Sequence, residues 1–143
     1  KKYQRKVNKA DLIILEGWCV GSKPIDPNYL KKNINDLEKI EDSNLLWRNA
    51  YNKSLIEYQK VFKKFSYFIF IKIPNWKFVI DWKYKQELGL RSSNSNNHLK
   101  KKLYRFIQFY EKLSKWMYLT SPSDCNVLIT LDKKQTAKKI TYK

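Results

Sequence analysis

Four apolar residues, Leu12-Ile13-Ile14-Leu15, run without interruption into Glu16, and Gly17 follows at once. The stretch from Leu12 to Gly21 holds two of the three glycines in the chain, Gly17 and Gly21. A continuous apolar run closed by turn residues reads as a strand buried on both faces. A carboxylate ending such a strand stands at the C-terminal edge of a parallel sheet, where open α/β sheets bind their ligands. The plainer reading of the same spacing is a buried strand whose glutamate reaches solvent.

The remaining pattern supports an α/β chain. Gly21 to Asn35, with Pro24 and Pro27, reads as a loop placed to cover a substrate. Tyr51, Leu55, Tyr58, Phe62 and Phe65 recur at helical steps and predict a helix over 46–65. Residues 67–73 are β-branched and aromatic and predict a second strand, ended by Pro74. Asn75 caps a helix reaching about Leu88. Gly89 to Asn97 reads as a flexible polar loop. A long helix follows from about Leu99 to Met117, with Leu99, Leu103, Phe106, Tyr110, Leu113 and Met117 as its apolar stripe. Both aromatic stripes are expected in the core. A turn over Ser121–Asp124 precedes a third strand over 126–131, and a short basic tail closes the chain. Strands separated by helices imply a parallel sheet with crossover helices. Three strands make a thin sheet, and an opening without Met so close to a strand gives the look of a fragment.

Composition narrows the function. At 143 residues the chain is one domain's worth, and 43% hydrophobic content is enough for a packed core. No apolar run is long enough for a membrane span. Cys19 and Cys125 form no metal or redox spacing and are expected as reduced thiols in a cytoplasmic protein. His98 is the only histidine, which disfavours histidine-based catalysis and His-rich zinc sites, and it reads as a solvated side chain in a polar stretch. The net charge of +17, with +11 of it in residues 72–143, fits a polyanion partner. Only four of the 30 basic residues are Arg, however, the residue suited to two-pronged phosphate and base contacts. That disfavours nucleic acid and fits lysine filling exposed positions.

Several short runs in this order resemble the C-terminal half of a phosphate-loop small-molecule kinase of the D-glycerate 3-kinase group, akin to uridine kinase, pantothenate kinase and phosphoribulokinase. They are Leu15-Glu16-Gly17-Trp18-Cys19-Val20-Gly21, Asn35-Asp36-Leu37-Glu38, Glu41-Asp42, Trp47-Arg48, Asn52-Lys53-Ser54-Leu55, Ile73-Pro74, Val79-Ile80-Asp81-Trp82-Lys83, Gln86-Glu87, and Phe106 to Lys115. The family usually shows Arg at Lys83, Lys112 and Lys115, and His at Phe109. The phosphate-cradling pattern Gly-x-x-x-x-Gly-Lys-[Ser/Thr] occurs nowhere in the chain.

The resemblance implies a P-loop NTPase-like parallel sheet flanked by helices, incomplete here, with the whole chain as one C-terminal part. It implies ATP and Mg²⁺ as cofactors, and phosphorylation of a small hydroxy acid, D-glycerate. Glu16 would be the catalytic carboxylate and the metal ligand. Lys83, Arg105, Lys112 and Lys115 would meet the nucleotide phosphates, with residues 83–115 as a lid. Gly17, Trp18, Arg48 and Asn52 would face the substrate, with Glu38 and Asp42 shaping the pocket. Each has a plainer reading: lysines solvating helix faces, acids as caps and surface pairs, Trp18 packed on its loop. The isolated chain is expected to be inactive. The alternatives are a polyanion-binding module and an inactive kinase remnant.

Overall fold

The computed structural model of the chain describes residues 9–91 and 97–143. Three strands form one mixed sheet in the order β1-β2-β3: β1 (Ile69–Lys72), β2 (Val127–Leu131) and β3 (Ala137–Tyr142). β1 and β2 run parallel, with Ile69 opposite Val127 and Lys72 opposite Thr130. The crossover between them carries two helices, α3 (Lys77–Arg91) and α4 (Asn97–Asp124), which pack on each other. Asn75 opens α3 by accepting the Lys77 amide at 3.0 Å. The fold class is therefore the expected α/β one, a thin sheet flanked by helices.

Within the sheet, two details differ from the sequence reading. The basic tail is β3, paired antiparallel to β2 through a tight turn. Asp132 closes that turn by accepting from Lys134 and Thr136 amides at 2.7 and 3.0 Å, with Gln135 left-handed at φ 65°. The expected strand over Leu12–Glu16 is not in the sheet. Leu12, Ile13, Ile14 and Leu15 are 76, 83, 78 and 52% exposed and have no ladder partner among the described residues. An apolar run supplies strand propensity, but a strand exists only where a neighbour takes its amides and carbonyls. β1, at the sheet's edge, is likewise bare on one face, where Ile69 and Ile71 are exposed.

The expected loop after Gly21 contains a short helix, α1 (Pro27–Lys31). Asp26 caps it by accepting from Asn28 and Tyr29 amides, and Pro27 opens it at a position that needs no amide. A single π-helical turn follows at Leu37–Glu41, then α2 (Leu46–Phe62). α4 runs through the expected Ser121–Asp124 turn. The expected flexible loop is helical at its start, because Gly89 lies within α3, and residues 92–96 lie outside the described residues.

Ile25, Leu30, Leu55, Phe70, Leu113, Met117 and Cys125 form the core where α1, α2 and α4 meet the inner face of β1. Cys19 and Cys125 are both free thiols. Among the described residues no helix is long and apolar enough to cross a membrane.

Candidate functional site

Glu16 stands just before a tight turn. The Val20 amide reaches Gly17 O at 3.3 Å and the Ser22 amide reaches Cys19 O at 3.1 Å. Gly21 takes φ +78°, and a Cβ there would lie 2.6 Å from the Phe68 ring, so this turn requires glycine. Trp18 pins the turn to α4: its indole N–H donates to Ser114 Oγ at 2.7 Å and its ring meets Tyr110 edge-on at 4.7 Å. Trp18 thus packs the turn and also keeps an exposed face. Glu16 itself is exposed and makes no hydrogen bond or ion pair among the described residues.

Asn52 and Arg48, expected on the substrate side, hold the loop instead. The Asn52 amide group brackets Ile25, accepting from its N–H at 2.6 Å and donating to its carbonyl at 3.1 Å. This two-point bond mimics a strand pairing and ties the loop to α2. Arg48 is fully buried. Its Nε donates to Asp42 Oδ2 at 2.7 Å, and its remaining nitrogens reach the carbonyls of Leu30, Glu38 and Asp42. Asp42 also caps α2 through the Trp47 and Arg48 amides. The left-handed Leu45, φ 64°, cannot cap the helix with a side chain, so Asp42 reaches across from the preceding turn.

Glu38 joins this network. Its Oε2 lies 3.6 Å from Arg48 and 3.2 Å from Lys112 Nζ, and accepts the Ile34 amide. Lys112 is 2% exposed and also donates to the carbonyls of Tyr29 and Lys32. Burial pushes its ammonium below the ordinary lysine value, and Glu38 partly opposes this. Two cations and two carboxylates therefore balance inside the protein. Lys112 faces this network and not solvent, which a stripe count on α4 cannot show. Nearby, Tyr51 Oη and Glu38 Oε1 are buried without hydrogen-bond partners, and burial with the Glu38 charge raises the Tyr51 pKa.

The other expected phosphate contacts stand apart. Lys83 pairs with Glu87 at 3.1 Å and Lys115 with Glu111 at 2.7 Å, each on its own helix. Arg105 pairs with Glu41 and lies over the Phe109 ring at 5.0 Å. These pairs are partly exposed, so solvent weakens them and exchange for another anion costs little. The described part of the expected lid, 83–91 and 97–115, is helical and belongs to α3 and α4.

A cleft of about 590 Å³ opens between α2 and α4 beneath the Gly17–Gly21 turn. Trp18 and Cys19 line it from the turn, Trp47, Tyr51 and Tyr58 from α2, and Phe106, Phe109 and Tyr110 from α4. Trp47 meets Phe109 edge-on across it at 5.3 Å. Much of the two aromatic stripes therefore walls this cleft: Tyr58 is 47% and Phe106 46% exposed. The sequence signal for it was the 47, 51, 54, 58 face of α2 opposite 106, 109, 110 and 113 on α4, at ordinary helical steps.

These residues meet the chemistry of ATP and Mg²⁺ only in part. Mg²⁺ is commonly held by one or two carboxylates together with phosphate oxygens, and Glu16, unpaired among the described residues, fits that role. No three His, Cys, Asp or Glu side chains converge among the described residues. A phosphate cradle is not formed by them either, since Lys112 is enclosed and the other cations are dispersed.

No family model matches the chain. In sequence it is 28% identical over 100 residues to the uncharacterized kinase mug58 of Schizosaccharomyces pombe, covering 68% of this chain and 35% of that protein. In structure it superposes on D-glycerate 3-kinase from Cryptococcus neoformans var. grubii with a TM-score of 0.64 at 16% identity, over 95% of this chain and 51% of that one. The chain spans about a third of the curated relative's length and about half of the solved enzyme's. The fold is that of half of the solved enzyme, and the sequence match is to a protein named as a kinase.

Proposed function

We propose that this chain carries the acceptor side of a phosphotransferase acting on a small hydroxy acid, with D-glycerate as the first candidate. The observation that carries this reading is the superposition of nearly the whole chain on half of a D-glycerate 3-kinase. Glu16, unpaired among the described residues and on a turn anchored by Trp18 and Gly21, supports it. Phosphoryl transfer asks the protein mainly for positioning and charge neutralisation. In this reading a Glu16 carboxylate oxygen takes the proton of the acceptor hydroxyl as that oxygen attacks, and the turn fixes where the carboxylate stands. ATP, when bound, supplies the phosphoryl group, and its cradle lies outside these residues. Lys83, Arg105 and Lys115 can trade their carboxylate partners for anionic oxygens, whereas Lys112 has a structural role. The bare apolar faces at Leu12–Leu15 and at Ile69 and Ile71 support a sheet that is completed by further structure.

Calorimetric titration of the chain with D-glycerate tests the reading. Saturable binding that weakens in Glu16→Ala, with the circular dichroism unchanged, is the expected result. ADP release from ATP by the chain alone would overturn the half-site assignment. Absence of glycerate binding, alongside heparin binding that falls steeply with salt, would replace it with a polyanion-binding role for the +17 surface.

A further inference from the structure

The cleft between α2 and α4 does not match a three-carbon acid. A single benzene ring fills a cavity of about 150 Å³, and this cleft holds about 590 Å³. Its walls carry no charged side chain, and most are aromatic rings. Trp18, Tyr58, Phe106 and Phe109 each leave between 41 and 47% of their surface in water. Rings exposed on a concave surface gain most from covering by another flat ring, which meets them edge-to-face or offset.

Two features tie this cleft to the acceptor site. Trp18 lines the cleft and is two residues from Glu16, so their Cα atoms are at most about 7 Å apart. The cleft and Glu16 therefore meet at one turn, which Trp18 anchors. On the α4 side, Arg105 covers the Phe109 ring, placing a guanidinium beside a wall of the cleft. Its partner Glu41 is 59% exposed and can release it to a ligand carboxylate.

We infer that the cleft is an aryl subsite of the acceptor site, and that the acceptor is a hydroxy acid bearing an aromatic ring. The ring enters among Trp18, Trp47, Tyr58 and Phe109, the carboxylate meets Arg105, and the hydroxyl faces Glu16. This inference rests on the phosphotransferase reading for the role of Glu16.

The test compares binding of 3-phenyllactate and D-glycerate to the 143-residue chain by calorimetry, with tryptophan fluorescence as a second readout. Burying one phenyl ring predicts binding about tenfold or more tighter for phenyllactate. Tyr58→Ala and Phe109→Ala, two separate truncations of the walls, each lower phenyllactate affinity more than glycerate affinity. Arg105→Met lowers both. Trp82→Phe, on the far helix α3, keeps the preference. Equal affinity for the two acids, or a preference that survives both wall truncations, overturns the aryl subsite and leaves the glycerate reading standing. Failure of both acids to bind overturns the two together.

Discussion

Arg48 Nε donates to Asp42 Oδ2 at 2.7 Å with the arginine side chain wholly enclosed and the carboxylate almost so. The pair decides how the loop, the π-helical turn and the start of α2 meet, because the same guanidinium also reaches carbonyls on all three sides. Removing the cation strands the buried Asp42 carboxylate and leaves Glu38 with Lys112 alone. Arg48→Met is therefore expected to cost about 3–5 kcal/mol, read from urea unfolding. Lys112→Met leaves Arg48 in place and should cost less, about 1–3 kcal/mol for unpaired acceptors. The reverse order would show that Lys112, not Arg48, is the main counterion of Glu38.

Gly21 combines a left-handed backbone with a ring in van der Waals contact. Gly21→Ala should lose about 1–2 kcal/mol for the backbone and about 1–3 kcal/mol for overpacking against Phe68. Thermal melting close to that of the unmodified chain would mean that the turn can be rebuilt without glycine.

Ser114 is the acceptor for the Trp18 indole. In Ser114→Ala the half-exposed indole can turn to water, so the stability loss stays near 0.5–1.5 kcal/mol. The sharper readout is local: amide exchange over 16–22 should accelerate while the α4 core stays protected. Unchanged exchange would show that ring contact with Tyr110 alone fixes the turn.

Asp132 gives the β2–β3 hairpin a pH dependence. The Thr136 amide, then the Lys134 amide, hold its carboxyl below the ordinary aspartate value. The folded hairpin therefore binds fewer protons than the unfolded chain in the acid range. Its stabilisation is present above the ordinary carboxylate value and is lost as pH falls through the lowered one. Amide exchange at residues 139–141 should rise on acidification over that window, and Asp132→Asn should flatten the dependence. The same acid response in Asp132→Asn would assign it to another group.

Helix positions were readable because 3.6-residue periodicity and caps such as Asn75 act within one segment. α2 ends three residues before its expected limit at Phe65, and α4 extends past its expected end through Pro122 and Asp124. The strand at 69–72 was also readable, from local β-branched and aromatic content. Leu12–Leu15 carried an equally strong apolar signal and took no sheet position, because strand pairing is a property of two segments. The tail strand was missed for the same reason: Ala137–Tyr142 alternates weakly, and its place comes from the Asp132 turn and the free edge of β2.

The candidate site divides along the same line. The sequence alone determined the α/β class, the carboxylate at the head of a glycine turn, the missing phosphate-loop pattern and the excess of lysine. Those are properties of residue type and near-neighbour spacing. Only the tertiary structure decided which charges are spent inside the protein and which remain for a ligand. Lys112 and Lys115 lie three residues apart on one helix, yet the first is enclosed with Glu38 and the second pairs at the surface. Likewise, helical spacing gave two aromatic faces, and the separation of α2 from α4 made them walls of a cleft. Burial and separation depend on how elements pack, and no local pattern encodes the distance between two helices.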